Sequence, residues 1–120
     1  MAATALIVAA PAAAQMNWVQ LGSREVSDRA ERDLIPTQGG QIYNQIRLCV
    51  DRAPVRFGDV AVRYRNGASQ NMSVHDLIER GRCTAPLDLR GRNRDIESVS
   101  FTYEAASLGR RTARVRLLAV

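Results

Sequence analysis

The chain has 120 residues, 46% of them apolar, and a formal net charge of +5 from 17 basic residues against 12 carboxylates. Every basic residue is arginine, so Schiff-base and lysine-nucleophile chemistry are excluded, while the positive surplus favours anionic partners in general. One tryptophan, three tyrosines and two phenylalanines leave the core of a one-domain chain to Val, Leu, Ile and Ala.

Residues 1–15 carry no charge and end in Ala12-Ala13-Ala14 before Gln15, a small-x-small pattern like that at signal-peptidase sites. No basic stretch precedes Leu6, so residues 1–14 read as the remnant of a signal peptide and residues 16–120 as a single domain. Pro11 interrupts a run too short for a membrane span, which needs about 20 apolar residues. The expected location is periplasmic or secreted.

Beyond residue 16 the pattern has mostly period two. Residues 17–26 read as a first strand anchored by Trp18. Residues 31–36 are a short extended piece ended by Pro36 and the turn at Gly39 and Gly40. Residues 42–50 alternate clearly, with Ile46, Leu48 and Val50 on one face and Arg47, Cys49 and Asp51 on the other. Cys49 and Cys83 fit one disulfide in an exported protein; two free buried thiols are the alternative. Their spacing does not match a zinc site, and no metal or cofactor is expected.

Residues 55–65 continue the alternation, with Val60, Val62 and Tyr64 inward and Arg63 and Arg65 opposite. Gly58 and Asp59 mark a turn or bulge. Asn66 and Gly67 suit the centre of a type I′ hairpin turn, with residues 69–74 returning and Met72 and Val74 inward. Residues 75–80 (HDLIER) read as one helical turn closed by Gly81. His75, the only histidine, is expected at the surface, and its neighbour Asp76 would point elsewhere on a strand.

Leu87 and Leu89 alternate around Asp88, and the chain turns at Gly91. Arg94 is placed to reach back to Asp88 and brace that turn. Val99, Phe101 and Tyr103 form another inward row, and Ala113, Val115 and Leu117 alternate with Arg114 and Arg116. Seven or eight short strands, with at most one short helical turn, indicate an all-β, jelly-roll-like β-sandwich.

Ile46-x-Leu48-x-Val50, Val60-x-Val62-x-Tyr64-x-Asn66-Gly67, Leu87-Asp88-Leu89-x-Gly91-x-x-Arg94-x-Ile96-x-x-Val99 and the closing basic strand together resemble a family of small secreted bacterial proteins classed as a domain of unknown function. The resemblance runs from Trp18 to Val120. It implies an all-β extracytoplasmic domain and no reaction.

No glycine-rich phosphate loop or calcium loop is present. The candidate ligand-binding residues are Arg47, Arg63, Arg65, Arg114 and Arg116, which would form one basic face if their strands share a sheet. Planar guanidinium groups bind carboxylate and phosphate in pairs of hydrogen bonds. The expected function is a non-catalytic binding or structural module for an anionic glycan, a lipid head group or an acidic protein surface. Nothing points to specific nucleic-acid binding. The alternatives are a hydrolase using dispersed carboxylates and an inhibitor presenting a turn, at Asn66 and Gly67 or at residues 90–94, to a foreign hydrolase.

Overall fold

The period-two rows become eight antiparallel strands in a computed structural model that describes residues 17–120. The signal-peptide reading of residues 1–14 lies outside the described residues. The strands are β1 (Val19–Val26), β2 (Arg32–Pro36), β3 (Gln45–Asp51), β4 (Val55–Tyr64), β5 (Ser69–Ile78), β6 (Leu87–Asp88), β7 (Ile96–Tyr103) and β8 (Ala113–Ala119). One sheet, sheet A, has the order β1-β8-β3-β6, and the other, sheet B, has β2-β7-β4-β5. The pairs β1 with β8, β2 with β7, β3 with β6 and β4 with β5 are those of a ribbon rolled into a jelly roll, an arrangement of two Greek keys.

The core lies between the sheets because the central strands β3, β8, β4 and β7 each contribute one apolar row. Sheet A supplies Ile46, Leu48, Val50, Val115 and Leu117, and sheet B supplies Val60, Val62, Val99 and Phe101, all buried. Phe57 meets Phe101 edge-on, with ring centroids 5.7 Å apart. Truncating either ring to alanine is expected to cost about 3–5 kcal/mol.

At the edge where β1 lies against β2, Gly22 is required by space. A Cβ there would stand 2.6 Å from Ile35 Cγ2. Beside it Arg24 Nε donates to Asp33 Oδ1 at 3.2 Å, and the Tyr103 hydroxyl donates to Asp33 Oδ2 at 2.8 Å. These two bonds tie β1 of sheet A to β2 and β7 of sheet B.

Three local expectations are corrected. Residues 75–80 are not a helical turn. β5 runs on to Ile78, which enters the core opposite Val55; tertiary pairing overrides the local pattern. The only helical turn among the described residues is the 3-10 turn Ala105–Leu108. The β4–β5 hairpin is not type I′ either. Gly67 N–H bonds to Tyr64 O, and Gly67 has φ 92° while Arg65 and Asn66 keep negative φ. That is a type I turn followed by a left-handed glycine, the usual three-residue hairpin loop. Finally, Arg94 does not reach Asp88. Its Nη1 donates to Arg90 O at 2.6 Å, its guanidinium lies 3.7 Å above the Tyr64 ring, and Asp88 instead accepts from Gln45 Nε2 at 2.7 Å. The expected bulge at Gly58 and Asp59 is present as a register shift between Phe57 and Asp59.

Candidate binding surfaces

The two cysteines are joined. Cys49 on β3 and Cys83 in the β5–β6 connection form a disulfide, and no free cysteine remains. Residues 81–84 run antiparallel along β3. Gly81 N–H bonds to Val50 O, Val50 N–H to Arg82 O and Thr84 N–H to Leu48 O. The Thr84 hydroxyl, itself buried, accepts from Leu48 N–H at 3.1 Å. The bridge therefore pins a segment that already covers the edge of sheet A.

The five candidate arginines do not converge on one face. Arg47, Arg114 and Arg116 lie on the outer face of sheet A, on the adjacent strands β3 and β8. Arg63 lies on the outer face of sheet B, and Arg65 directly follows β4. The physical reason is topological: in a jelly roll β3 and β4, though consecutive, belong to different sheets. Arg63 and Arg65 are also committed locally. Arg63 Nε is 3.0 Å from Glu97 Oε2. Arg65 Nη2 donates to Thr37 O and Ile96 O, with Asp95 3.9 Å from its Nε.

On sheet A the three arginines have different surroundings. Arg116 grips Asp51 with Nε and Nη2, at 2.8 and 3.4 Å. Arg47 stacks on Trp18, 4.3 Å from the ring centroid, a cation–π contact. Arg114 stands in register between Glu25 on β1 and Asp51 on β3. Both carboxylates are already held, Glu25 by Arg52 and Asp51 by Arg116. Arg114 is exposed and forms no ion pair among the described residues.

The outer face of sheet B is different in kind. Ser98, Ser100 and Thr102 of β7 lie beside Ala61 of β4, with Asn71 and Ser73 on β5. Over one end of this face is an open hollow of about 740 Å³, lined by Glu31, Arg32, Arg56, His75 and Glu104 among others. His75 is exposed, and its Nε2 is 3.0 Å from Asp59 Oδ1 rather than paired with Asp76. Ser73 Oγ approaches the same carboxylate oxygen at 3.4 Å. The aspartate thus sits between serine and histidine. That order does not let the imidazole take a proton from the hydroxyl, as nucleophilic catalysis requires.

At the end formed by the β2–β3, β4–β5 and β6–β7 connections, residues 90–94 make a tight exposed turn. Gly91, Arg92 and Asn93 have φ 84°, 58° and 50°. Side chains from other elements fix its backbone: Gln70 Oε1 accepts from Arg90 N–H and Asn44 Oδ1 from Asn93 N–H, both at 2.8 Å. Burial pushes the Tyr64 phenol above its ordinary range, while Arg94 above the ring works the other way. Burial also raises Tyr103, and the hydrogen bond to Asp33 with the charge of that carboxylate adds to the effect.

Sequence reasoning missed the Trp18–Arg47 stack, the pairing of His75 with Asp59 and the left-handed conformation of Arg92. The first two join distant strands, and only Gly91 hinted at the third.

No helix among the described residues is long and apolar enough to cross a membrane. No curated protein and no solved structure matches the chain. The model of a family described as a domain of unknown function, DUF2541, matches residues 1–119, nearly the whole sequence, and the chain belongs to that family.

Proposed function

We propose that the domain is an exported, periplasmic or envelope-associated binding module, without catalytic activity, that takes anionic ligands on the outer face of sheet A. Export is supported by the disulfide and by the uncharged leader with its small-x-small pattern. Binding is carried by one observation: Arg114 lies between two carboxylates that other arginines already hold. It keeps its hydrogen-bonding fork for an outside partner, with Arg116 on the same strand and face. Arg47 and Trp18 add a cationic, partly apolar margin. The ligand class is a carboxylate- or phosphate-bearing surface, either an acidic glycan or an anionic lipid head group.

The test compares wild type with Arg114→Ala and Arg63→Ala. The two probes are polygalacturonate and vesicles of phosphatidylglycerol with phosphatidylethanolamine. Arg114→Ala is expected to weaken binding to the true ligand class roughly fivefold, the equivalent of about 1 kcal/mol, and Arg63→Ala to leave it unchanged. Binding must weaken as salt rises. Affinity indifferent to salt, or equal losses in both variants, would refute the assignment. The probe that binds tells glycan from lipid.

A hydrolase is the second reading, favoured by the hollow that brings His75 together with Glu31 and Glu104. It requires turnover of an ester or glycan that disappears in Asp59→Asn.

A further inference from the structure

Among the described residues, three other than glycine and asparagine adopt positive φ: Arg52, His75 and Arg92. Such a conformation is unfavourable for a residue with a long side chain and persists only where something compensates. For Arg52 the compensation is visible, because its guanidinium holds Glu25. For His75 it is the bond to Asp59. The Arg92 side chain makes neither a hydrogen bond nor an ion pair among the described residues. Only its backbone N–H is engaged, to Leu89 O at 3.3 Å. Glycine would sit at this φ without strain, yet the chain carries a large exposed cation there.

The rest of the turn is built to hold that cation out. Arg90 N–H and Asn93 N–H are fixed by Gln70 and Asn44, Tyr43 and Arg94 exchange backbone hydrogen bonds, and Arg94 is locked between Arg90 O and the Tyr64 ring. Arg90 is also exposed, and it too lacks an ion pair among the described residues. Beside the turn is a hollow of about 580 Å³ lined by Asn44, Gln45, Asp88, Leu89, Arg92 and Val120. It combines apolar surface with the Asn44 amide, which can donate to a carbonyl or carboxylate, while the Gln45 amide already donates to Asp88.

We infer that the turn at residues 90–94 is a docking element for an acidic segment of a partner protein, with Arg90 and Arg92 taking carboxylates and the hollow taking an adjacent apolar side chain. A preorganised turn lowers the entropy lost on binding. Asp88 in the hollow repels a densely anionic lipid surface or a free phosphate. A peptide, with its charges spaced along a backbone, can avoid it. This site lies at the loop end of the sandwich, where Gln45 and Asp88 pair at the end of sheet A opposite to the one that holds Arg114.

The test uses a fluorescein-labelled peptide, Gly-Gly-Glu-Leu-Glu-Gly-Gly, with the Gln-Leu-Gln peptide as the uncharged control. Fluorescence anisotropy is followed for wild type, Arg92→Gly, Arg90→Ala and Arg110→Ala. Arg110 is an exposed arginine in the β7–β8 connection, at the other end of the sandwich. Arg92→Gly and Arg90→Ala are each expected to weaken binding about tenfold, or 1.4 kcal/mol. Arg110→Ala removes the same charge and should bind as wild type. Arg92→Gly should also melt about 3 °C higher than wild type, because glycine relieves the strained φ.

Equal losses in Arg110→Ala would reduce the effect to net charge and overturn the inference. So would a lower melting temperature in Arg92→Gly, which would make Arg92 a structural residue. No saturable binding of the glutamate peptide overturns it as well. Arg92-dependent binding of phosphatidylglycerol vesicles in its place would assign the turn to a lipid surface.

Discussion

Reducing the bridge between Cys49 and Cys83 tests the reading of sheet A most directly. The cysteines are 34 residues apart, and loop closure of that length restricts the unfolded chain by about 3.8 kcal/mol on the chain-entropy account. A domain of roughly 100 residues unfolds with an entropy near 0.21 kcal/mol/K, so the loss should lower the melting temperature by about 18 °C. The native fold should survive, because the hydrogen bonds between residues 81–84 and β3 do not involve the sulfurs. The assay is thermal melting by circular dichroism, oxidised and reduced, with Cys49→Ser/Cys83→Ser as the covalent control. Near-ultraviolet spectra at low temperature should remain native-like in all three samples. A drop below about 5 °C would refute the argument, since it would mean the unfolded chain already holds these segments together. Loss of the native near-ultraviolet spectrum on reduction would refute the second half, that backbone pairing alone keeps the edge covered.

Thr84→Val keeps the shape but removes the hydroxyl that accepts from the buried Leu48 N–H. Urea denaturation should show a loss of about 1–3 kcal/mol, the cost of an unsatisfied buried donor. Gly67→Ala meets nothing within 4 Å, so its expected cost of about 1 kcal/mol comes only from the positive φ, and Asn at the same position should recover part of it. Tyr103 and Tyr64 ionise above their ordinary value in the folded state because burial disfavours the phenolate. Their contribution to stability is therefore complete below pH 10 and declines as pH rises beyond it. Denaturant melts across that range should show the decline, and Tyr103→Phe should lessen it. An unchanged slope in that variant would remove Tyr103 from the account.

The central strands were readable in the sequence because each writes its own buried row, as in Ile46, Leu48 and Val50 or Val99, Phe101 and Tyr103. The layered architecture and a count of seven or eight strands followed from the same rows, whereas the disulfide was read from the number of cysteines and the leader, with two free thiols as the alternative. What failed depended on which strand stands next to which. The segment 75–80 looks helical until Ile78 finds Val55. The arginine face depended on the strands sharing one sheet; residues 47, 63 and 65 alternate alike, and alternation does not say which sheet receives a strand. Asp88 was an obvious partner for Arg94 on charge alone. The Tyr64 ring and the Arg90 carbonyl, which hold Arg94 instead, carry no signal in a list of charged residues. The strain at Arg92 was equally silent, because arginine is not a residue that announces a left-handed turn.

The nesting of the ribbon also governs the order in which the molecule can be made. Partner strands are closest in sequence at the β4–β5 hairpin and grow more distant outward, to β1 with β8. When synthesis has passed residue 103, every strand of sheet B exists. Sheet A still lacks β8, the strand that joins β1 to β3. Until residues 113–119 emerge, Val60, Val62, Val99 and Phe101 face water on one side of a half-built layer. Such surface is what chaperones hold and what aggregates when unattended. A nascent chain of this design is thus kept from closing until its final strand is translated, and an unclosed chain can still be threaded.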